Sequence, residues 1–172
     1  MGRENMSTLD GCVSLEKMRF CQIDRITLLE PGVRIEAVRK LRAGEDYLRD
    51  HFPRFEVMPG VLMLEALTQA AIFLARATEG YKTGLVYLES VKNVKFADFV
   101  QPGQTLLISV EIIKLTESTT LVKAIGSKED SVAVSGRLLI KHQMLSGTSE
   151  PSTTDLHANV FMKQLTDRLR RD

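Results

Sequence analysis

Apolar and polar positions alternate in a two-residue rhythm through much of the second half of the chain. Leu106, Ile108, Val110 and Ile112 share one face of a segment from Thr105 to Leu115, and Val132, Val134, Leu138 and Ile140 do the same within Val132 to Lys141. A period of two marks a half-buried strand. Thr119 to Ile125 is a third β-leaning run, and the links at 116–119 and 127–130 are of hairpin size, so these three strands are predicted to form an antiparallel meander. Leu85 to Phe96 is a further strand, set off by the turn residues Gln101, Pro102, Gly103 and Gln104. Upstream, Ile26 to Glu30 and Val33 to Leu41 flank Pro31 and Gly32, with Val33 and Ile35 alternating against Arg34 and Glu36, and this predicts a hairpin.

One segment breaks the rhythm. From Val61 to Ala77 the chain is dense in strong helix formers, and Pro59 before it suits a first helical position. One apolar helix against a large antiparallel sheet makes the fold class α+β. The tail changes character at the linker-like residues 147–155, and Leu156, Val160, Leu165 and Leu169 then recur at four- or five-residue steps. That spacing predicts a short amphipathic helix docked on its own domain or on a sister subunit. The chain thus divides into a lead (1–19), one domain (20–143) and a linker with a C-terminal helix (144–172).

Composition narrows the function. At 172 residues with 44% hydrophobic positions the chain can bury a core without metal or disulfides. A net charge of +1 lacks the basic stripe of a nucleic-acid binder. Cys12 and Cys21 are the only cysteines and have no histidine nearby, so two reduced structural thiols and no metal site are expected. The first residues lack the apolar stretch of a secretory signal, and Met6 stands where a myristoylation pattern starting at Gly2 needs Ser or Thr. Glu65, Thr68 and Gln69 interrupt the longest apolar run, so no membrane span is expected and the protein is read as soluble and cytoplasmic.

Those three residues also form a narrow polar stripe, at i, i+3 and i+4, on an otherwise apolar helix. Either they face water at the helix's one exposed edge, or Glu65 lies in an apolar cleft and serves in proton transfer, oriented by Gln69 or Thr68. The same helix begins with backbone N–H groups at Gly60 and Val61 that lack acceptors within the helix. Such an end can hold a polarised carbonyl oxygen, and Gly60 carries no side chain to obstruct its approach. Of the three histidines, His142 and His157 read as solvated surface residues. His51 stands just before the helix start, where it is either an ordinary loop histidine or a base beside an oxyanion donor.

The string HFPRFEVMPGVLMLEALTQAA, His51 to Ala71, resembles the signature of the β-hydroxyacyl-acyl-carrier-protein dehydratases of fatty-acid synthesis, which have the hotdog fold. IDRITLLEPGVRIEAVRKL resembles that family's first hairpin, and VKNVKFADFVQPGQTLLISVEIIKL its strand, Pro-Gly turn and following strand. The lead before Phe20 and the tail after Gln143 fall outside the resemblance. It implies a long central helix wrapped by the sheet, with His51 and Glu65 catalytic and the Gly60 N–H holding the thioester carbonyl. Phe52, Pro59, Val61 and Gln69 are the further substrate-binding positions. Glu rather than Asp at position 65 resembles the branch that only dehydrates. The implied substrate is a (3R)-hydroxyacyl chain on acyl carrier protein, with no cofactor. The implied assembly is a homodimer, often a trimer of dimers, in which each site pairs His51 of one chain with Glu65 of the other. The apolar helix and the sheet would line a tunnel for the acyl chain. Arg39, Lys40, Lys92 and Lys95 are cations available to an acidic carrier, and each equally fits a solvated face.

The chain departs from that family at Arg54, Phe55 and Glu56, where Gly, a variable residue and Pro are usual. Arg lacks the conformational freedom of Gly, and Glu does not fix φ as Pro does, so the loop is expected to run differently and to alter substrate choice. Two rivals share the sequence features. A hotdog thioesterase would use the helix carboxylate to activate water, and a non-catalytic acyl-binding or scaffold protein would keep the fold alone.

Overall fold

The computed structural model describes residues 20–129, 131–144 and 152–171. Six strands form one antiparallel sheet: β1 (Arg25–Glu30), β2 (Arg34–Lys40), β3 (Leu85–Phe96), β4 (Thr105–Leu115), β5 (Thr119–Lys128) and β6 (Ser131–Gln143). Their order across the sheet is β1-β2-β4-β5-β6-β3, so the predicted β4-β5-β6 meander is present. The β1-β2 hairpin closes where the Val33 N–H donates to the Glu30 carbonyl over 3.0 Å, with Gly32 at φ 80°. Pro then Gly at the two central positions, with φ positive at Gly, is the chemistry of a type II turn. Gln101 to Gln104 repeats it, with Gly103 at φ 91°. The readings on Gly2, Met6, Cys12 and the first part of the tail linker lie outside the described residues.

Helix α1 (Gly60–Thr78) lies across the sheet and touches every strand from β2 to β6. Its sheet-facing side is small or aliphatic: Ala66, Leu67, Ala70, Ala71 and Leu74 are all fully buried. Small residues bring the helix close to Ile35, Leu106, Val110, Val122, Leu138 and Ile140 on the sheet. The side chains that meet across this contact are buried, and the cleft described below lies at the start of the helix. By length and mean hydropathy, α1 is apolar enough to cross a membrane despite Glu65, Thr68 and Gln69. It is the core helix of the domain, with over half of that apolar window buried by the sheet.

Three details differ from the sequence pattern. Pro59 is the N-cap of α1 rather than its first residue, with ψ 137°, and its carbonyl accepts from Leu62 and Met63. Val132 is exposed, because the β5-β6 register shifts beside it and turns Ala133 inward instead. Arg39 is buried, since alternation along β2 places it on the core side with Ile35 and Ala37. Its guanidinium pairs with Glu45 and bonds the Gln22 side chain at 3.3 Å, so Arg39 is not free to meet a carrier.

Helix α2 (Thr153–Leu169) starts with a capping box between Ser152 and Asp155 and packs on α1 and β1. Its inner face is Asp155, Asn159, Thr166 and Leu169, with Met162 and Leu165 partly buried. The predicted stripe is half wrong: Leu165 and Leu169 face the body, whereas Leu156 and Val160 are more than half exposed. The N-terminal half docks through polar groups because it covers Arg76, which carries a buried guanidinium. That group donates to Asn159 Oδ1 at 3.0 Å, the Thr83 carbonyl at 3.1 Å and the Gly84 carbonyl at 3.0 Å. Burial pushes the Arg76 pKa down from its usual value. Cys21 is a free thiol donating to the Ile23 carbonyl at 3.3 Å, and burial raises its pKa, which fits a structural role.

Candidate active site

Beyond β2 the chain turns through a single 3₁₀ turn, Asp46–Leu48, anchored by fully buried Leu48. The Tyr47 carbonyl accepts the His51 N–H at 3.1 Å, and the Tyr47 hydroxyl donates to Glu45 at 2.7 Å, the same carboxylate that holds Arg39. Burial and the Glu45 bond push the Tyr47 phenol well above its ordinary pKa, which keeps it a donor. The partly buried Arg39–Glu45–Tyr47 chain therefore fixes the backbone that presents His51. Its sequence signal was the parity of position 39 with Ile35 and Ala37.

His51 opens onto a cleft of about 170 Å³ lined also by Val57, Met58, Gly60, Met63 and the 96–99 segment. The Met58 N–H donates to the Val100 carbonyl at 2.8 Å, tying the loop to the β3-β4 connection and setting where α1 begins. At that start no side chain caps the helix, so the first N–H groups, Gly60 and Val61, are open to a ligand. A Cβ at Gly60 would stand 3.0 Å from the Phe96 ring, close enough that the ring would have to give way. Among the sequence-predicted residues, the structure thus brings His51 and Gly60 into one cleft, with Phe52 beside them, its ring edge-on to His51 at 4.6 Å. Phe96, Asp98 and Phe99 complete the wall and were not singled out from sequence, because only the fold brings the end of β3 to the helix start.

Glu65 lies elsewhere. It is exposed and does not line the cleft of its own chain. Gln69 holds it, donating to Glu65 Oε1 at 2.8 Å, while the Gln69 amide is itself fixed by the Phe20 carbonyl and the Gln22 N–H, both at 2.8 Å. Thr68 does not orient it, being buried with its hydroxyl donating to the Leu64 carbonyl at 2.9 Å. Within one chain, then, a candidate base and a candidate oxyanion donor share a cleft, and the Glu65 carboxylate lies outside it on the same helix.

His142 corrects the surface reading. It is buried, with Nε2 2.9 Å from the Thr120 hydroxyl and Nδ1 3.4 Å from a Glu79 carboxylate oxygen. Its parity with Leu138 and Ile140 on β6 turns it inward. His157 is exposed on α2. Lys40, Lys92 and Lys95 are exposed as well.

An antiparallel sheet wrapped around one central helix, with a cleft at that helix's N-terminus, places the molecule among the hotdog-fold proteins. Residues 15–140 match the FabA-like domain model, and the chain belongs to that family. It is 35% identical over 120 residues to the 3-hydroxyacyl-acyl-carrier-protein dehydratase FabZ of Clostridium kluyveri, covering 70% of this chain and 83% of that one. To the FabZ of Lactobacillus helveticus it is 36% identical over 137 residues, covering 77% and 93%. Among solved structures, the dehydratase heterocomplex ApeI:P of Xenorhabdus doucetiae superposes with a TM-score of 0.62 at 16% identity, covering 83% of this chain and 90% of that one. A Streptococcus mutans protein bound to acetyl CoA gives 0.57 at 12% identity, covering 74% and 90%. At those identities the likeness is one of fold.

Gly60→Ala tests the helix end directly. Phe96 is half exposed and free to turn away, so the fold should survive with little change in thermal stability. On the expectation that the Gly60 N–H receives the thioester oxygen, the added methyl group would crowd that approach, and a weakened oxyanion contact costs up to about 10²- to 10³-fold. A fall in kcat of at least about tenfold is expected, read by steady-state kinetics beside a melting curve.

Proposed function

We propose that the protein dehydrates (3R)-hydroxyacyl chains on acyl carrier protein to trans-2-enoyl chains, in the cytoplasm, as a step of fatty-acid or related lipid synthesis. The observation that carries this reading is the cleft shared by His51 and Gly60 at the uncapped start of α1. In the reaction the imidazole of His51 takes the proton on C2, and the Gly60 N–H stabilises the negative charge that develops on the thioester oxygen. The electron pair forms the C2=C3 double bond as the C3–O bond breaks. The Glu65 carboxyl group gives a proton to the departing hydroxyl, which leaves as water. Proton transfer back from His51, directly or through solvent, resets the pair. The scheme uses no cofactor.

Because Glu65 stands outside its own chain's cleft, the site is completed by a second copy. The working unit is a homodimer in which the Glu65 of each subunit enters the cleft of the other, with a trimer of dimers as the larger assembly. Gln69 positions Glu65 for this, and Phe52, Pro59 and Val61 border the thioester. Exposed Lys92 and Lys95 lie on the strand that leads to the cleft wall and suit an acidic carrier. Incubation with hydroxyacyl-carrier substrates, followed by mass, should show loss of one water with the thioester intact. Release of free carrier thiol would favour a thioesterase instead, and binding without turnover a non-catalytic protein.

A further inference from the structure

Four of the chain's seven phenylalanines crowd around this cleft half exposed: Phe52 at 60%, Phe55 at 50%, Phe96 at 52% and Phe99 at 54%. An apolar patch of this kind left open to water is a place where something apolar binds. Phe55 and Phe99 meet edge-on, with ring centroids 5.7 Å apart and planes at 88°. Phe99 also lines the cleft, whereas Phe55 stands just outside it, so the pair continues the cleft wall onto the surface.

Both rings are mounted on fixed backbone. The Phe55 N–H donates to the Phe52 carbonyl at 2.7 Å, closing a turn in which Phe52 takes φ 51°. The Phe99 N–H donates to Asp98 Oδ1 at 2.7 Å, and the other Asp98 oxygen accepts from Ser131 at 2.8 Å, with Lys128 3.2 Å from Oδ1. These bonds, Ser131 foremost, hold the Asp98 pKa below its usual value, so the clamp is intact at neutral pH. Val100, next in sequence, is fully buried. The rings are thus anchored from behind and open in front.

The cleft holds about 170 Å³. A cavity of about 150 Å³ takes a benzene-sized group, so a thioester with its hydroxyl-bearing carbons occupies this one and the rest of a longer chain must leave it. The first apolar surface outside is the Phe99–Phe55 pair. We propose that Phe55 and Phe99 form an aromatic shelf that carries the distal methylenes of longer acyl chains and so sets the chain-length preference of this enzyme. The proposal rests on the dehydratase reading above.

Each methylene fully removed from water strengthens binding by up to about fourfold, so a few methylenes on the shelf give a preference of tenfold or more. The test compares kcat/KM of the full-length protein for hydroxybutyryl, hydroxyoctanoyl and hydroxytetradecanoyl carriers, beside calorimetric affinity for the same chains on pantetheine and the mass of the assembly in solution. Phe55→Ala should lower the long-to-short ratio at least about tenfold and leave the hydroxybutyryl rate and the assembly unchanged, while Phe55→Met, which keeps apolar area, should restore most of the ratio. An unchanged ratio in Phe55→Ala overturns the shelf. So does an equal loss at every length with a smaller assembly, which would make Phe55 a subunit contact. If the unaltered protein turns over none of the three, the dehydratase reading fails. The shelf then stands or falls by whether Phe55→Ala removes the length dependence of affinity.

Discussion

His51→Ala and Glu65→Gln are each expected to lose about 10²- to 10⁴-fold in turnover while keeping the fold, because general acid–base groups contribute that much and neither side chain supports the core. The bond that fixes His51 is from its backbone N–H to the Tyr47 carbonyl, which alanine retains. Glu65 is exposed, and glutamine there can still accept from Gln69. The double variant should lose far less than the product of the single losses, since removing a proton and delivering one are parts of a single elimination. Full activity in Glu65→Gln would falsify the acid role.

The same pair gives a sharper result when the two variants are mixed. One chain's cleft holds His51 and Gly60 without Glu65. On the proposed shared site, a mixed dimer of His51→Ala and Glu65→Gln chains has one site with both native groups and one with neither. After subunit exchange the mixture should regain activity, up to about half the native value per mixed dimer if sites act independently. Fluorescence transfer between labelled subunits establishes that exchange took place. Demonstrated exchange with no recovery would reject the shared site.

What the sequence made legible follows from how local each signal is. Period two and two Pro-Gly turns placed the strands to within a few residues, because pleat and turn geometry depend on neighbours. The same rule, carried further along β2 and β6, would have placed Arg39 and His142 inside, since each has the parity of the buried residues before it. Val132 was beyond reach, because a shift of register follows from pairing with β5 and leaves no mark in β6 itself. The stripe on α2 misled for a different reason. Apolar spacing finds a docking face only where the surface beneath is apolar, and the N-terminal half of α2 covers a buried cation, so Asp155 and Asn159 turned inward and Leu156 and Val160 outward. At the cleft, His51 and Gly60 were visible as a motif, whereas Phe96 and Phe99 reach them from a distant strand end.

Removing residues 145–172 should lower the melting temperature by several degrees and leave turnover per site nearly unchanged. Leu169 is fully buried, and burying a Leu side chain is worth about 1.5–3 kcal/mol, to which partly buried Met162 and Leu165 add. Arg76 would lose the Asn159 acceptor but regain water, so its contribution to the loss is small. A loss of about 1 kcal/mol shifts the midpoint of a domain this size by roughly 2–4 °C. The site is spared by distance: α2 covers Arg76, which lies sixteen residues along α1 from Gly60, about 24 Å at the rise of a helix. Gly84→Ala reaches the same end by one atom, because a Cβ at position 84 would fall 1.6 Å from Asp155 Oδ1 and must lift the start of α2 away. That variant should therefore melt early, and its loss should largely vanish when it is made in the truncated chain, where no Asp155 remains to collide. A truncated protein that keeps its assembly yet cannot turn over substrate would show that α2 serves the chemistry and not only the fold.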